Sequence, residues 1–377
     1  MSELRAPRER LLALDVFRGA TIAAMILVNN PGDWGKVYAP LLHAKWHGWT
    51  PTDLVFPFFL WIVGVAIVLG LGGRVASGAP LGAVAHKIVR RALLLVAIGL
   101  ALNGLGFLFE GLAFFERWRF PGVLQRIGIA YGVAALLFLR FRPGTLVAIA
   151  AGLLIGYAGL LAYCPVPGLG APDLADPART IAAWLDRSVF GTEHLWSSAK
   201  VYDPEGLLST LPAIATTLAG VSAGLVVTRA EPLERRIAAL MVGGVALATL
   251  GFVWDWFLPI NKPLWTSSYA VFTAGLASCG FGVALWVCDV RGWRRVVEPF
   301  RVYGVNAITV FVGSALLGRV LREIPVGDEP LSRWLYHALC TSWLSGKPAS
   351  LCWALLWVSA WYLALRWMDR RGMRLRV

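Results

Sequence analysis

The residues best suited to chemistry gather in one polar stretch between two long apolar runs, from Asn29 and Asn30 through His43 and His47 to Asp53. An imidazole with an ordinary pKa near 6.5 accepts a proton at neutral pH, so His43 suits a general base. Asp53, at the mouth of the next apolar run, suits the carboxylate that orients such a ring. Asn29 and Asn30 precede Pro31-Gly32, a strong helix stop. One amide can therefore cap the helix while the other donates to a developing oxyanion. The plainer reading is an interfacial loop histidine and two capping amides. His47 lies four residues beyond His43, but Gly48 and Pro51 argue against the helix a zinc-ligand pair needs at that spacing. No metal site is expected.

Other polar residues stand inside or beside apolar runs, where they are expensive to place. Asp15 and Arg18, three apart, share a helix face. They read either as a structural ion pair or as a contact for an anionic ligand. Arg126, just inside an apolar run, needs a partner, which Asp53, Glu205 or a ligand phosphate would supply. Asp203 and Glu205 precede an apolar run, where a helix N-terminus accounts for them. A role in binding an acceptor amine or sugar is the alternative. Asn306 and Thr309 share a helix face; helix–helix hydrogen bonding is the plain reading and a coenzyme contact the functional one.

The elements that position these groups follow from composition. Of 377 residues 58% are hydrophobic and only 15% charged, against about 25% charged in soluble domains. Apolar runs of bilayer-spanning length lie near 12–30, 52–72, 88–109, 122–140, 144–163, 207–228, 236–258, 266–289, 298–318 and 350–367. Residues 331–345 read as a re-entrant piece, an interfacial one or an eleventh span. The expected fold is all-α, a single transmembrane domain of 10–11 spans over residues 1–377. No cleavable leader is expected, because the run from Leu11 continues to Asn29 without a small-residue cleavage site. Arginine clusters in alternate short connections: Arg5, Arg8 and Arg10; Arg90 and Arg91; Arg140 and Arg142; Arg235 and Arg236; Arg294 and Arg295; Arg370, Arg371, Arg374 and Arg376. The positive-inside rule then puts the N-terminus in the cytoplasm and the His43 loop, with the long loop 164–206, outside. This pattern also explains the net charge of +13 without nucleic acid, since no basic patch interleaves with aromatics on a soluble domain. Five cysteines without a CxxC pair read as small core residues. Tryptophans flanking spans (Trp46, Trp49, Trp265, Trp293) read as interfacial anchors.

Several segments together resemble the heparan-α-glucosaminide N-acetyltransferase family and its bacterial members: Leu14-Asp15-Val16-Phe17-Arg18-Gly19, Val28-Asn29-Asn30-Pro31-Gly32, His43-Ala44-Lys45-Trp46-His47-Gly48, Thr52-Asp53-Leu54-Val55-Phe56-Pro57-Phe58-Phe59, Pro121–Arg126, Asp203–Pro212, Asn261–Tyr269 and Tyr303–Asn306. The resemblance implies a multi-pass enzyme of the bacterial inner membrane. Such an enzyme takes acetyl-CoA from the cytoplasm and acetylates an amino sugar on the far face. It implies His43 as the catalytic residue with Asn29 assisting. The coenzyme would be met by Arg18, Arg126 and Asn306, and the acceptor by Asn30, Asp203 and Glu205. A homodimer is what the family suggests; no residue pattern carries it. The family's large lumenal N-terminal region is not expected here, so the expected acceptor need not be heparan sulfate. Two rivals remain at this level: a transporter of an amino sugar, built on Gly/Pro-broken spans, and a structural membrane protein in which His43, Asn29 and Asp53 are dispensable.

Overall fold

In lipid a backbone must satisfy its own N–H and C=O groups, so the apolar runs become helices. The computed structural model describes residues 11–373; Arg5, Arg8, Arg10, Arg374 and Arg376 lie outside them. The helices in chain order are α1 (Leu12–Asn29), α2 (Val55–Ala76), α3 (Leu81–Asn103), α4 (Phe107–Glu110), α5 (Val123–Arg140), α6 (Pro143–Tyr163), α7 (Ile181–Phe190), α8 (Thr210–Val227), α9 (Leu233–Trp254), α10 (Ser267–Leu285), α11 (Arg294–Val305), α12 (Ala307–Glu323), α13 (Leu331–Tyr336) and α14 (Gly346–Arg370). Among the described residues nine helical stretches are long and apolar enough to cross a membrane, or ten if the bent pair α11 and α12 forms one span. The protein is an all-α polytopic membrane protein.

One stretch differs from the sequence reading, and one that it left open takes a definite form. The run 298–318 is not one helix: α11 and α12 meet at 70°. Asn306 causes the break. Its side-chain Nδ2 donates to the Val302 carbonyl at 3.1 Å, which its own backbone N–H would take in a continuous helix. That N–H turns instead to the Tyr303 carbonyl. Residues 331–345 form no span. The short α13 runs into a π-turn, His337–Thr341, and at about 1.5 Å per residue the pair covers roughly half of a bilayer core.

By its own contacts the described chain divides into two compact units. One comprises 45–48 and 57–283; the other comprises 11–44, 49–56 and the chain from Ala284 onward. Each is held by close helix crossings, because in lipid packing must replace the hydrophobic drive. In the first unit a Cβ on Gly64 would strike the Thr217 carbonyl, and one on Gly220 the Trp61 carbonyl, so α2 and α8 touch backbone to backbone. In the second unit Gly19 and Gly304 do the same for α1 and α11.

The first unit also brings together the segments that alternation of spans puts on one face. The N–H of Phe120 donates to the His194 carbonyl, and that of Gly48 to the Ile260 carbonyl at 2.7 Å. Within the long loop, α7 is capped by Thr180, whose Oγ1 accepts from the Ala183 N–H at 3.2 Å.

Candidate active site

The second unit holds His43 and Asp53. Pro51, with its fixed φ, opens a 3-10 turn, Pro51–Leu54, behind Thr50. That turn faces the Asp53 carboxylate back onto the loop. Its Oδ2 accepts from the backbone N–H groups of Ala44 and Thr50, each at 3.0 Å. Its Oδ1 lies 2.7 Å from His43 Nδ1. Asp53 is 1% exposed, whereas the His43 side chain is 50% exposed. A carboxylate only accepts, so the shared proton sits on Nδ1 and Nε2 keeps its lone pair. The result is an imidazole with a fixed tautomer and a half-exposed side chain. That arrangement can remove a proton from a nucleophile and later return one.

The remaining candidates in this unit divide. Asn30 is the cap: its Nδ2 donates to the Ile26 carbonyl at 2.8 Å. Its expected role at a substrate would cost α1 that bond. Asn29 is exposed at the end of α1, and its amide has no hydrogen-bond partner among the described residues. Arg18 pairs with Asp15 at 2.6 Å and donates through Nε to the Gly304 carbonyl at 2.7 Å. It therefore ties α1 to α11, the structural alternative of the sequence reading. The hydrogen bonds expected of Asn306 and Thr309 to neighbouring helices are not made. Asn306 Oδ1 and Thr309 Oγ1 are both buried without a partner among the described residues.

In the first unit, Arg119 organises the acidic pair. Its Nε and Nη2 bind Asp203 at 2.8 and 2.5 Å, and Nη2 also reaches Glu205. Burial works against the cation, but the hydrogen bonds and charges of the two carboxylates outweigh it and hold the guanidinium above its ordinary range. The Asp203 side chain is completely buried and also accepts from the N–H groups of Trp196 and Glu205, each at 2.9 Å. Its lone pairs are taken, so it shapes the turn. Nothing in the sequence reading singled out Arg119. The one available signal was that two acidic residues beside a membrane need a counter-cation.

Arg126 is 1% exposed. Its Nη2 donates to the Gly206 carbonyl at 3.0 Å and to Ser209 Oγ, and its guanidinium lies 5.2 Å from the Trp265 ring centroid. Neutral acceptors and an aromatic face thus hold one side of it, and neither Asp53 nor Glu205 bonds to it; Nε and Nη1 have no partner among the described residues. Trp265 is correspondingly no interfacial anchor: it is 1% exposed and donates through Nε1 to Thr216 Oγ1 at 3.2 Å. Asp186, on the inner face of α7, accepts from the Leu207 N–H at 2.9 Å. Burial pushes its carboxyl up to about 7, against the opposing effects of that N–H and of Arg126.

Asn261 explains the motif around it. Its Oδ1 accepts from the Leu264 N–H at 2.8 Å, and its Nδ2 lies 3.4 Å from His47 Nδ1. It therefore tethers the 45–48 segment. Burial lowers the His47 pKa, partly offset by Asp255, so His47 stays neutral and structural.

The catalytic-region model of heparan-alpha-glucosaminide N-acetyltransferase matches residues 10–251. This chain belongs to that family. The heparan-alpha-glucosaminide N-acetyltransferase of Homo sapiens is 32% identical over 359 residues, covering 82% of this chain and 53% of the human protein. The Mus musculus protein of the same name is 30% identical over 369 residues, covering 83% and 54%. The chain spans about half the length of these curated relatives. The family match takes in the His43 loop, Arg119 and the Asp203–Glu205 turn, whereas Asn306 lies beyond it.

Proposed function

We propose that this family member is a transmembrane acetyltransferase of the bacterial cytoplasmic membrane. It moves the acetyl group of cytoplasmic acetyl-CoA to the amine of an amino sugar on the other face, with His43 as general base. The observation that carries this reading is the contact of His43 Nδ1 with the buried Asp53 carboxylate at 2.7 Å, which leaves Nε2 as the basic nitrogen. Nε2 takes a proton from the sugar ammonium or attacking amine, and the amine nitrogen bonds to the thioester carbonyl carbon. The oxyanion that forms is stabilised by the Asn29 amide, a contact of about 3 kcal/mol where such donors have been removed from other enzymes. As the intermediate collapses, the C–S bond breaks and the imidazolium returns its proton to the CoA sulfur. Asp53 keeps the ring in one tautomer throughout. Glu205 serves the acceptor, and Arg18 holds α1 to α11 within its own unit. An acetyl-His43 intermediate is the alternative course, and a burst of acetylated protein would reveal it.

The break at Asn306 favours a second reading, because discontinuous spans mark secondary transporters. One experiment separates the two. Purified protein is reconstituted in vesicles with acetyl-CoA on one side and glucosamine on the other. N-acetylglucosamine forming on the acceptor side supports acetyl transfer. Glucosamine exchanging across the bilayer without acetyl-CoA and without product supports transport.

A further inference from the structure

In the second unit, residues 286–301 and 366–371 hold seven arginines against three carboxylates, Asp289, Glu298 and Asp369. Arg301 alone takes two of the three. Its Nε and Nη2 bind Glu298 at 2.7 and 2.8 Å, and Nη2 also reaches Asp369 at 2.5 Å, which ties α11 to the end of α14. Asp289 lies on the π-turn Trp286–Val290 that follows α10. Arg291, Arg294 and Arg295 make no ion pair among the described residues, and neither do Arg366, Arg370 and Arg371. The surplus charge therefore stands on the surface at the end of α14 and at the turn into α11.

Two of these cations are braced on indole rings. Gly292, at φ 64°, reverses the chain ahead of α11. The reversal brings Trp293 to Trp286, with ring centroids 6.2 Å apart. The Arg291 guanidinium lies 5.4 Å from the Trp286 centroid and 5.3 Å from that of Trp293. Arg371 lies 4.3 Å from the Trp367 centroid. An aromatic face orients a guanidinium without neutralising it, so the charge and the N–H edge remain for an acceptor. Apolar surface adjoins the charge: Trp286, Trp293, Val296 and Phe300 are exposed, the last two four apart on one side of α11. The positive-inside rule accounts for arginine at these helix ends. It does not require that one arginine draw off the carboxylates, or that others be set on exposed indoles.

We infer that the turn from Trp286 into α11 is a binding site for an anionic phospholipid of the adjoining leaflet. The phosphodiester oxygens accept from Arg291, Arg294 and Arg295, and an acyl chain lies along Trp293, Val296 and Phe300. A planar N–H fork suits phosphate, and arginine clusters beside spans are the form in which anionic headgroups are recognised. The apolar surface beside the charge is what selects a lipid over a free phosphate. Arg301, held between Glu298 and Asp369, positions α11 against α14 and does not meet the headgroup. The inference is independent of the acetyl-transfer reading.

The test is native mass spectrometry of the purified, delipidated full chain in detergent, titrated with phosphatidylglycerol and, separately, with phosphatidylcholine of the same chains. Wild type should bind phosphatidylglycerol at least tenfold more tightly. Each arginine near a headgroup is worth about fivefold, so the triple variant Arg291→Gln, Arg294→Gln, Arg295→Gln should weaken binding about a hundredfold. Arg291→Gln alone, at about fivefold, reports even where the triple variant proves unfolded. The control is Arg90→Gln, Arg140→Gln, Arg142→Gln, exposed arginines of the first unit; it removes the same charge and should leave binding within about twofold, less than the loss of one contacting arginine. Equal weakening by both triples would show a diffuse field, and equal binding of the two lipids no headgroup recognition; either overturns the site. Displacement of the lipid by the deacylated headgroup or by coenzyme A at equal concentration would show a soluble-phosphate site and overturn the lipid assignment.

Discussion

Replacing Asp53 by Asn tests the His43 arrangement with almost no change in shape. The two backbone N–H groups of Ala44 and Thr50 fix which atom faces them: the amide oxygen must take the Oδ2 position, since an NH₂ there would meet two donors. The NH₂ then falls where Oδ1 stood, 2.7 Å from His43 Nδ1. It can only donate, so Nδ1 must lose its hydrogen and Nε2 must gain it. The basic lone pair is turned away from the substrate. The same exchange in a serine-protease triad costs about 10⁴ in kcat, or roughly 5.5 kcal/mol, and a loss of that order is expected here. The stability cost is smaller. The remaining hydrogen bonds pass from a charged acceptor to a neutral one, at about 1 kcal/mol each. The assay is single-turnover formation of N-acetylglucosamine by purified protein, with the melting temperature measured alongside. Combining Asp53→Asn with His43→Ala should be no worse than His43→Ala alone, because the carboxylate acts through the ring. A folded Asp53→Asn variant within tenfold of wild type would refute the reasoning.

Other outcomes follow from the packing and the buried charges. Arg119→Leu leaves the fully buried Asp203 without its counter-charge and should cost about 3–5 kcal/mol, read as a lower melting temperature; adding Asp203→Asn should recover part of it. Asp186 binds a proton more tightly folded, with a pKa of about 7, than unfolded, at 3.8. Its contribution to stability is therefore greatest at acid pH and falls as pH rises from about 4 to 7, by up to ~4 kcal/mol. Asp186→Asn should flatten the melting temperature over that window, and an unchanged pH profile would contradict the assignment. Gly220→Ala places a methyl against the Trp61 carbonyl and should destabilise the crossing of α2 and α8 by about 1–3 kcal/mol; a melting temperature equal to wild type would show that the helices separate freely.

The membrane helices were legible because hydropathy alone sets their length, and the pairing of His43 with Asp53 was legible because ten residues of one loop join them. What escaped was fixed by contacts distant in sequence or by side-chain choices that hydropathy does not encode. The bend at Asn306 hides inside Tyr303-Gly304-Val305-Asn306-Ala307-Ile308, which reads as a continuous apolar run; one amide capturing one carbonyl breaks it. Arg119 sits between Trp118 and Phe120 and reads as a basic residue at a membrane edge, yet its partners lie more than eighty residues along the chain. Trp265 has the sequence setting of an anchor but is buried beneath Arg126. Asn29 and Asn30 are adjacent and chemically identical, and only the direction of the Asn30 amide shows which of them caps α1.

The account turns on His43 removing the proton of an amine that attacks acetyl-CoA. The direct measurement is the amount of labelled N-acetylglucosamine formed from radiolabelled acetyl-CoA and glucosamine by wild type and by His43→Ala, at equal folded concentration. The account predicts product from wild type and a loss of at least a hundredfold in the variant, the lower end of what a positioned general base contributes. Equal product from both proteins would contradict it.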